Sequence, residues 1–118
     1  IISPWNYPFF LSLSPLAPAI AAGNRVMIKP SELTPRSSEL LDEMMRWTFP
    51  EGEVTVHSGD VDTGAAFASL PFDHLLFTGS TSIGRKVAMA AAENLTPVTL
   101  ELGGKSPAVI EIELTKVG

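Results

Sequence analysis

The residues best suited to chemistry are a carboxylate, an amide, a lysine–glutamate pair and a glycine turn, each in a distinctive local string. Glu101 stands in Leu100-Glu-Leu-Gly-Gly-Lys105, where the apolar residues before it predict burial and the glycines after it admit close backbone approach. A carboxylate taken partly out of water has a raised pKa and can serve as a general base near neutral pH. The same residue could instead pair with Lys105 or Arg85. Asn6, in Pro4-Trp-Asn-Tyr-Pro8, carries an amide set among aromatics and prolines. It can donate to a developing oxyanion, or simply shape a turn. Lys29 and Glu32, in Lys29-Pro-Ser-Glu32, offer a donor and an acceptor to the two hydroxyls of a ribose. A carboxylate there favours a free 2′-hydroxyl over a 2′-phosphate; the plain alternative is a solvated pair in a loop.

Gly79 and Gly84 bracket a strand-to-helix turn, Phe77-Thr-Gly-Ser-Thr-Ser-Ile-Gly84, and a helix N-terminus with free N–H groups suits a phosphate. A triphosphate-binding loop needs a lysine and a hydroxyl directly after the second glycine, whereas Arg85-Lys86 follows here. The spacing also fails the dinucleotide fingerprint, so the turn reads equally as a ligand loop or as a tight connection. His57 and His74 lie in or beside strands away from acidic or hydroxyl partner patterns, and read as structural.

Positioning these groups requires elements that alternate. Helical patterns cover about Phe9–Ala22, closed by Gly23-Asn24, and the stretch from Thr34-Pro35 to Pro50-Glu51-Gly52. In the second, Thr34 is a candidate cap, and Leu40, Leu41, Met44, Met45 and Trp47 mark a face that packs inward. Two more helices are expected over about Asp62–Leu70 and from the Gly79 turn to about Asn94. Strands are expected at Arg25–Lys29, Val54–Val56, His74–Thr78, Pro97–Glu101 and Ala108–Ile112. Strands that read as continuous apolar runs predict an α/β fold with a mainly parallel sheet and helices on both faces. Ligands of such sheets sit beyond the carboxyl ends of the strands, where Lys29, Thr78-Gly79-Ser80 and Glu101 with Gly103 all fall.

The composition narrows the function classes. The chain has 118 residues, 45% hydrophobic and 18% charged, a net charge of −5 and no cysteine. Thirteen acidic against eight basic residues leave no field for a phosphate backbone, so nucleic acid is not an expected partner. The longest apolar run, Pro8–Ala22, is interrupted by three prolines and falls short of a membrane span. Without cysteine there is no disulfide, thiolate metal site or thiol nucleophile, and no metal site is expected. A start at Ile1 without a leader pattern and an end at Gly118 read as an internal segment of a longer chain.

Together Pro4-Trp-Asn-Tyr-Pro8, Ala21-Ala-Gly-Asn24, Lys29-Pro-Ser-Glu32, Phe77-Thr-Gly-Ser80 with Ile83-Gly84, and Leu100-Glu-Leu-Gly-Gly-Lys-Ser-Pro107 resemble the aldehyde dehydrogenase superfamily in order and spacing. Phe72–Phe77 and Ala91–Val98 look closest to its class 3 and coniferyl aldehyde dehydrogenase branch, which handles aromatic and fatty aldehydes. The resemblance implies an NAD-dependent oxidation of an aldehyde to a carboxylic acid, with NADP as a second acceptor, and a Rossmann-like sheet lacking the usual glycine fingerprint. It implies that Asn6 holds the oxyanion and that Glu101 activates the hydrolytic water. Lys29 and Glu32 would bind the adenosine ribose, Ser80 and the turn at Gly79 would lie by the pyrophosphate, and Thr78 and Gly84 would belong to the same cofactor site. Trp5 would wall the pocket, and Gly103 would give room near the nicotinamide. It further implies a cytoplasmic homo-oligomer whose partner is a small aldehyde.

The family's nucleophilic cysteine lies some thirty residues beyond the Glu-Leu-Gly-Gly motif, whereas this chain ends at Gly118. Residues 1–110 are therefore expected to be part of an NAD(P)-binding domain and 111–118 an atypical tail marking a truncation, with no catalysis by the chain alone. The alternative is a nucleotide-binding module without chemistry. An aldehyde-forming reductase fits less well, because it has no thioester for Glu101 to help hydrolyse.

Overall fold

The computed structural model describes residues 1–110. The elements run α1 (Pro8–Ala21), β1 (Val26–Ile28), α2 (Pro35–Thr48), β2 (Val54–Val56), α3 (Val61–Ala68), β3 (Leu75–Gly79), α4 (Thr81–Ala92) and β4 (Val98–Leu102). Proline opens both α1 and α2, where its missing N–H costs no hydrogen bond. The side chains of Asp60 and Ser80 cap α3 and α4 by accepting from Thr63 N–H and Ile83 N–H. Gly23, at φ +81°, closes α1 in the left-handed region that glycine enters without a steric penalty.

β1 pairs with β2 and β3 with β4, both in parallel, with Val26 opposite Val54 and Thr78 opposite Glu101. Ile2 joins the two pairs by bridging Lys29 on one side and Phe77 on the other. Its N–H donates to Leu76 O at 2.8 Å and its carbonyl accepts from Thr78 N–H at 3.0 Å, while Ser3 N–H donates to Lys29 O at 3.1 Å. The lateral order is therefore β2, β1, the Ile2 segment, β3, β4. Three residues of sequence form the middle of the sheet, an element absent from the sequence expectation because so short a run shows no periodicity.

Successive strand residues point to opposite faces, and the core divides accordingly. Val26, Ile28 and Val54 pack with Leu16 of α1 and with Leu41 and Met45 of α2. Ile2, Met27, Leu75, Phe77 and Leu100 pack with Phe67 of α3 and with Val87 and Ala91 of α4. Helices thus cover both faces, as expected.

Three expectations fail. Residues 108–110 are not strand and are exposed, and the remainder of the expected strand Ala108–Ile112 lies outside the described residues, as does the tail at 111–118. On α2 only Leu41 and Met45, one turn apart, are buried, together with Ser38. Leu40, Met44 and Trp47 are exposed, because the buried stripe of this helix is narrower than its apolar sequence. Thr34 makes no side-chain cap; its hydroxyl turns back to donate to Ser31 O at 3.3 Å.

Candidate functional site

The chain steps from the Ile2 segment out through α1 to β1 and α2 to β2, then returns through α3 to β3 and passes through α4 to β4. Its direction across the sheet reverses between the Ile2 segment and β3. There the connections leave to opposite faces, since Pro4–Tyr7 leads to α1 and Ser80 leads to α4. Such a reversal opens a crevice at the carboxyl ends of the strands. A cleft of about 1000 Å³ occupies this position, lined from the ends of the Ile2 segment, β1, β3 and β4 and from the start of α3, including Asn6, Glu32, Asp60, Ser80 and Glu101.

Of the ten residues singled out by sequence, Trp5, Asn6, Lys29, Glu32, Thr78, Gly79, Ser80, Glu101 and Gly103 line this cleft. Gly84 does not. It is buried in α4, where a Cβ would stand 2.7 Å from Leu102 Cδ2 and 3.5 Å from Phe77, so it lets the helix settle on the sheet behind the cleft wall. Gly79 is small for a different reason. A Cβ there would stand 2.6 Å from Cζ of the buried Phe77 ring, which lies across the same face two residues back. A Cβ on Gly103 would meet nothing within 4 Å.

Lys29 is buried, and its ammonium donates to Pro30 O at 3.0 Å, to Gly59 O at 3.0 Å and to Glu32 Oε2 at 3.3 Å. All three of its protons are used, so the lysine ties the loops after β1 and β2 together, contrary to the solvated alternative. Glu32 is part-exposed at the cleft, with its ion pair on one oxygen. A vicinal diol would therefore meet the carboxylate first, with the lysine directly behind it.

Glu101 is exposed rather than buried, because β4 pairs only with β3 among the described residues and Leu100 takes the face toward α4. Nor is it in an ion pair with Lys105 or Arg85; among the described residues the ion pairs are Lys29–Glu32 and Arg46–Asp42. Its carboxylate stands open at the cleft. Asn6 and Trp5 are exposed there too, with no hydrogen bond from the Asn6 side chain among the described residues.

At the start of α4, Ser80 Oγ accepts from Ile83 N–H at 3.3 Å and shares a proton with Ser82 Oγ at 3.1 Å. The N–H groups of Thr81 and Ser82 have no helical acceptor and give the cleft a positive edge. Asp60 and Lys86 also line the cleft and were not singled out. The Thr63 backbone N–H and then its hydroxyl hold the Asp60 carboxyl below its ordinary pKa, which fits a helix cap. Asp60 with a hydroxyl residue three positions on was a readable cap pattern. The Gly59 carbonyl that receives Lys29 left no trace in side-chain types.

Both histidines find hydroxyl partners that the sequence pattern did not show. His57 Nε2 lies 2.9 Å from Thr55 Oγ1, and His74 Nε2 lies 2.9 Å from Thr99 Oγ1 across the β3–β4 pair. Neither lines the cleft, consistent with structural roles. Among the described residues no cluster of three or more His, Asp or Glu could hold a metal, and no helix is long and apolar enough to cross a membrane.

The family model described as the aldehyde dehydrogenase family matches residues 1–114. A probable coniferyl aldehyde dehydrogenase of Pseudomonas aeruginosa is 64% identical over 110 residues, covering 93% of this chain and 23% of that protein. A coniferyl aldehyde dehydrogenase of a Pseudomonas species is 56% identical over the same length, with the same shares covered. Among solved structures, substrate-bound AldH of Staphylococcus aureus superposes with a TM-score of 0.87 at 50% identity, over 91% of this chain and 23% of that one. PnpE in complex with nicotinamide adenine dinucleotide gives 0.78 at 41% identity, over 88% and 22%. The chain thus spans about a quarter of the length of the relatives it matches.

Proposed function

The chain belongs to the aldehyde dehydrogenase family, and from that premise we propose that it is the cofactor-cleft portion, residues 1–110, of an enzyme that oxidises an aromatic aldehyde of the coniferyl type to its carboxylic acid with NAD as acceptor. The observation that carries this reading is the convergence of the ends of the Ile2 segment, β1, β3 and β4 and of the Asp60 cap of α3 on one cleft, with Asn6, the Lys29–Glu32 pair, the α4 N-terminus and Glu101 on its rim. The overall reaction consumes aldehyde, NAD and water and yields carboxylate, NADH and protons. NAD supplies the acceptor for the hydride leaving the aldehyde carbon.

The residues present suit that dinucleotide. Glu32 would accept from the ribose hydroxyls with Lys29 behind it, and the free N–H groups of Thr81 and Ser82 would donate to the pyrophosphate beside Gly79 and Ser80. Asn6 donates from Nδ2 to the oxygen of the aldehyde carbon as it becomes tetrahedral. Glu101 takes a proton from the water that attacks the acyl group, and its exposure to the cleft gives that water access. The thiol that carries the acyl group lies on the part of the enzyme beyond this cysteine-free chain. NADP as a second, weaker-bound acceptor, a homo-oligomeric parent and a cytoplasmic setting belong to the same reading.

The full-length protein should convert coniferyl aldehyde and NAD to carboxylate and NADH in equal amounts, while the 118-residue chain alone forms no NADH. A full-length protein that reduces no NAD with any aromatic or fatty aldehyde overturns the reading. Cofactor choice follows from Glu32, whose charge repels a 2′-phosphate. Glu32→Gln keeps an acceptor for Lys29 but removes that charge, and should raise NADP affinity relative to NAD by about ten-fold in the full-length enzyme. An unchanged ratio in fluorescence titrations would remove Glu32 from the ribose site.

A further inference from the structure

Between the central strand and α1 runs a four-residue loop, Pro4–Tyr7, whose base is closed by two buried hydroxyls. Ser12 Oγ donates to Pro8 O at 2.7 Å, and Ser3 and Ser12 are 2.7 Å apart through their hydroxyl oxygens. Ser12 has one hydroxyl proton and spends it on Pro8, so Ser3 must be the donor to Ser12. The result is a directed chain from Ser3 to Ser12 to the Pro8 carbonyl. Ser3 and Ser12 are 3% and 0% exposed, while Trp5, Asn6 and Tyr7 between them are exposed.

Three features make this chain consequential for Asn6. The Asn6 side chain makes no hydrogen bond among the described residues, so its direction is set by the backbone that carries it. Tyr7 sits at φ 49° and ψ 49°, a left-handed conformation that a non-glycine residue holds only where its surroundings impose it. Ser3 is itself tied to the sheet through its N–H bond to Lys29 O at 3.1 Å, which anchors the Ser3 end of the loop beside β1. An apolar pair would fill the same space, but dispersion sets no direction, whereas a hydrogen bond between short side chains sets both distance and angle.

We propose that Ser3 and Ser12 are positioning residues that fix the Pro4–Tyr7 loop so that Asn6 points its amide at the reacting carbonyl oxygen, an inference that rests on the oxyanion role of Asn6 given above. Ser3→Ala tests it with little risk to folding, because Ser12 keeps its bond to Pro8 O and no buried donor is left unpaired. In the full-length enzyme Ser3→Ala should slow the single-turnover rate of NADH formation by about ten-fold, as small misplacements of catalytic groups do. NAD affinity should be unchanged. Ser3→Thr, which keeps the hydroxyl, should restore the rate to within about two-fold. On an Asn6→Ala background, Ser3→Ala should cost nothing further, since the group it positions is gone.

Two outcomes overturn the proposal alone. One is a Ser3→Ala enzyme with a lowered Tm and an unchanged single-turnover rate while Asn6→Ala is slow. The other is a Ser3→Ala loss that recurs in full on the Asn6→Ala background. An Asn6→Ala enzyme with the wild-type rate overturns the oxyanion reading itself, and the positioning role with it.

Discussion

Replacing Glu101 by glutamine in the full-length enzyme should lower kcat for aldehyde oxidation by about 100- to 10,000-fold, the range associated with loss of a general base. The amide has the same shape and still accepts hydrogen bonds, so NAD affinity and fold are retained. What it cannot do is take a proton from water. Glu101 occupies the β4 position opposite Thr78, at the strand end where the cleft opens, and no described residue offers it an ion pair. The acyl group should therefore accumulate on the enzyme, visible by mass spectrometry as protein heavier by the mass of the aldehyde-derived acyl group. A Glu101→Gln enzyme that turns over within about three-fold of wild type, with no adduct, would assign the base to another residue.

The second large effect is on stability. Ile28→Ala should destabilise the domain by about 2–5 kcal/mol, the usual cost of emptying a fully enclosed aliphatic site. Ile28 is 0% exposed, packed among Leu16, Leu41 and Met45, and its strand lies between the Ile2 segment and β2. The cavity would open directly beneath the backbone that carries Lys29. The urea midpoint should fall with an unchanged slope. Trp47→Ala is the contrast, since Trp47 is 85% exposed and its loss should change stability by no more than about 0.5 kcal/mol in either direction. Equal losses from the two substitutions would contradict the assignment of the core.

Much of this was legible because the informative residues sit where strand and helix patterns end. Lys29, Gly79 and Glu101 were each readable as the terminus of an apolar run, and nine of the ten singled-out residues line one cleft. Gly84 was readable as a small residue in a phosphate-type turn, but the space it makes is for Leu102 and Phe77. Glu101 was expected to be buried because its neighbours are apolar. Strand alternation sends those neighbours and the carboxylate to opposite faces. Trp47 and Leu40 joined an apolar pattern on α2 that only Leu41 and Met45 satisfy in the core. The Ile2 bridge was invisible for a different reason. Its place in the sheet depends on partners 27 and 75 residues away, which no local pattern encodes.

The most direct measurement is a crystal structure of the full-length protein with NAD bound. The adenosine ribose hydroxyls should lie within about 3.2 Å of Glu32 oxygens, with the buried Lys29 ammonium behind that carboxylate. The pyrophosphate should rest against the N–H groups of Thr81 and Ser82, and the nicotinamide should lie near Gly103, between Asn6 and Glu101. A dinucleotide bound outside this cleft, or bound in it with its ribose away from Glu32, would contradict the proposed site.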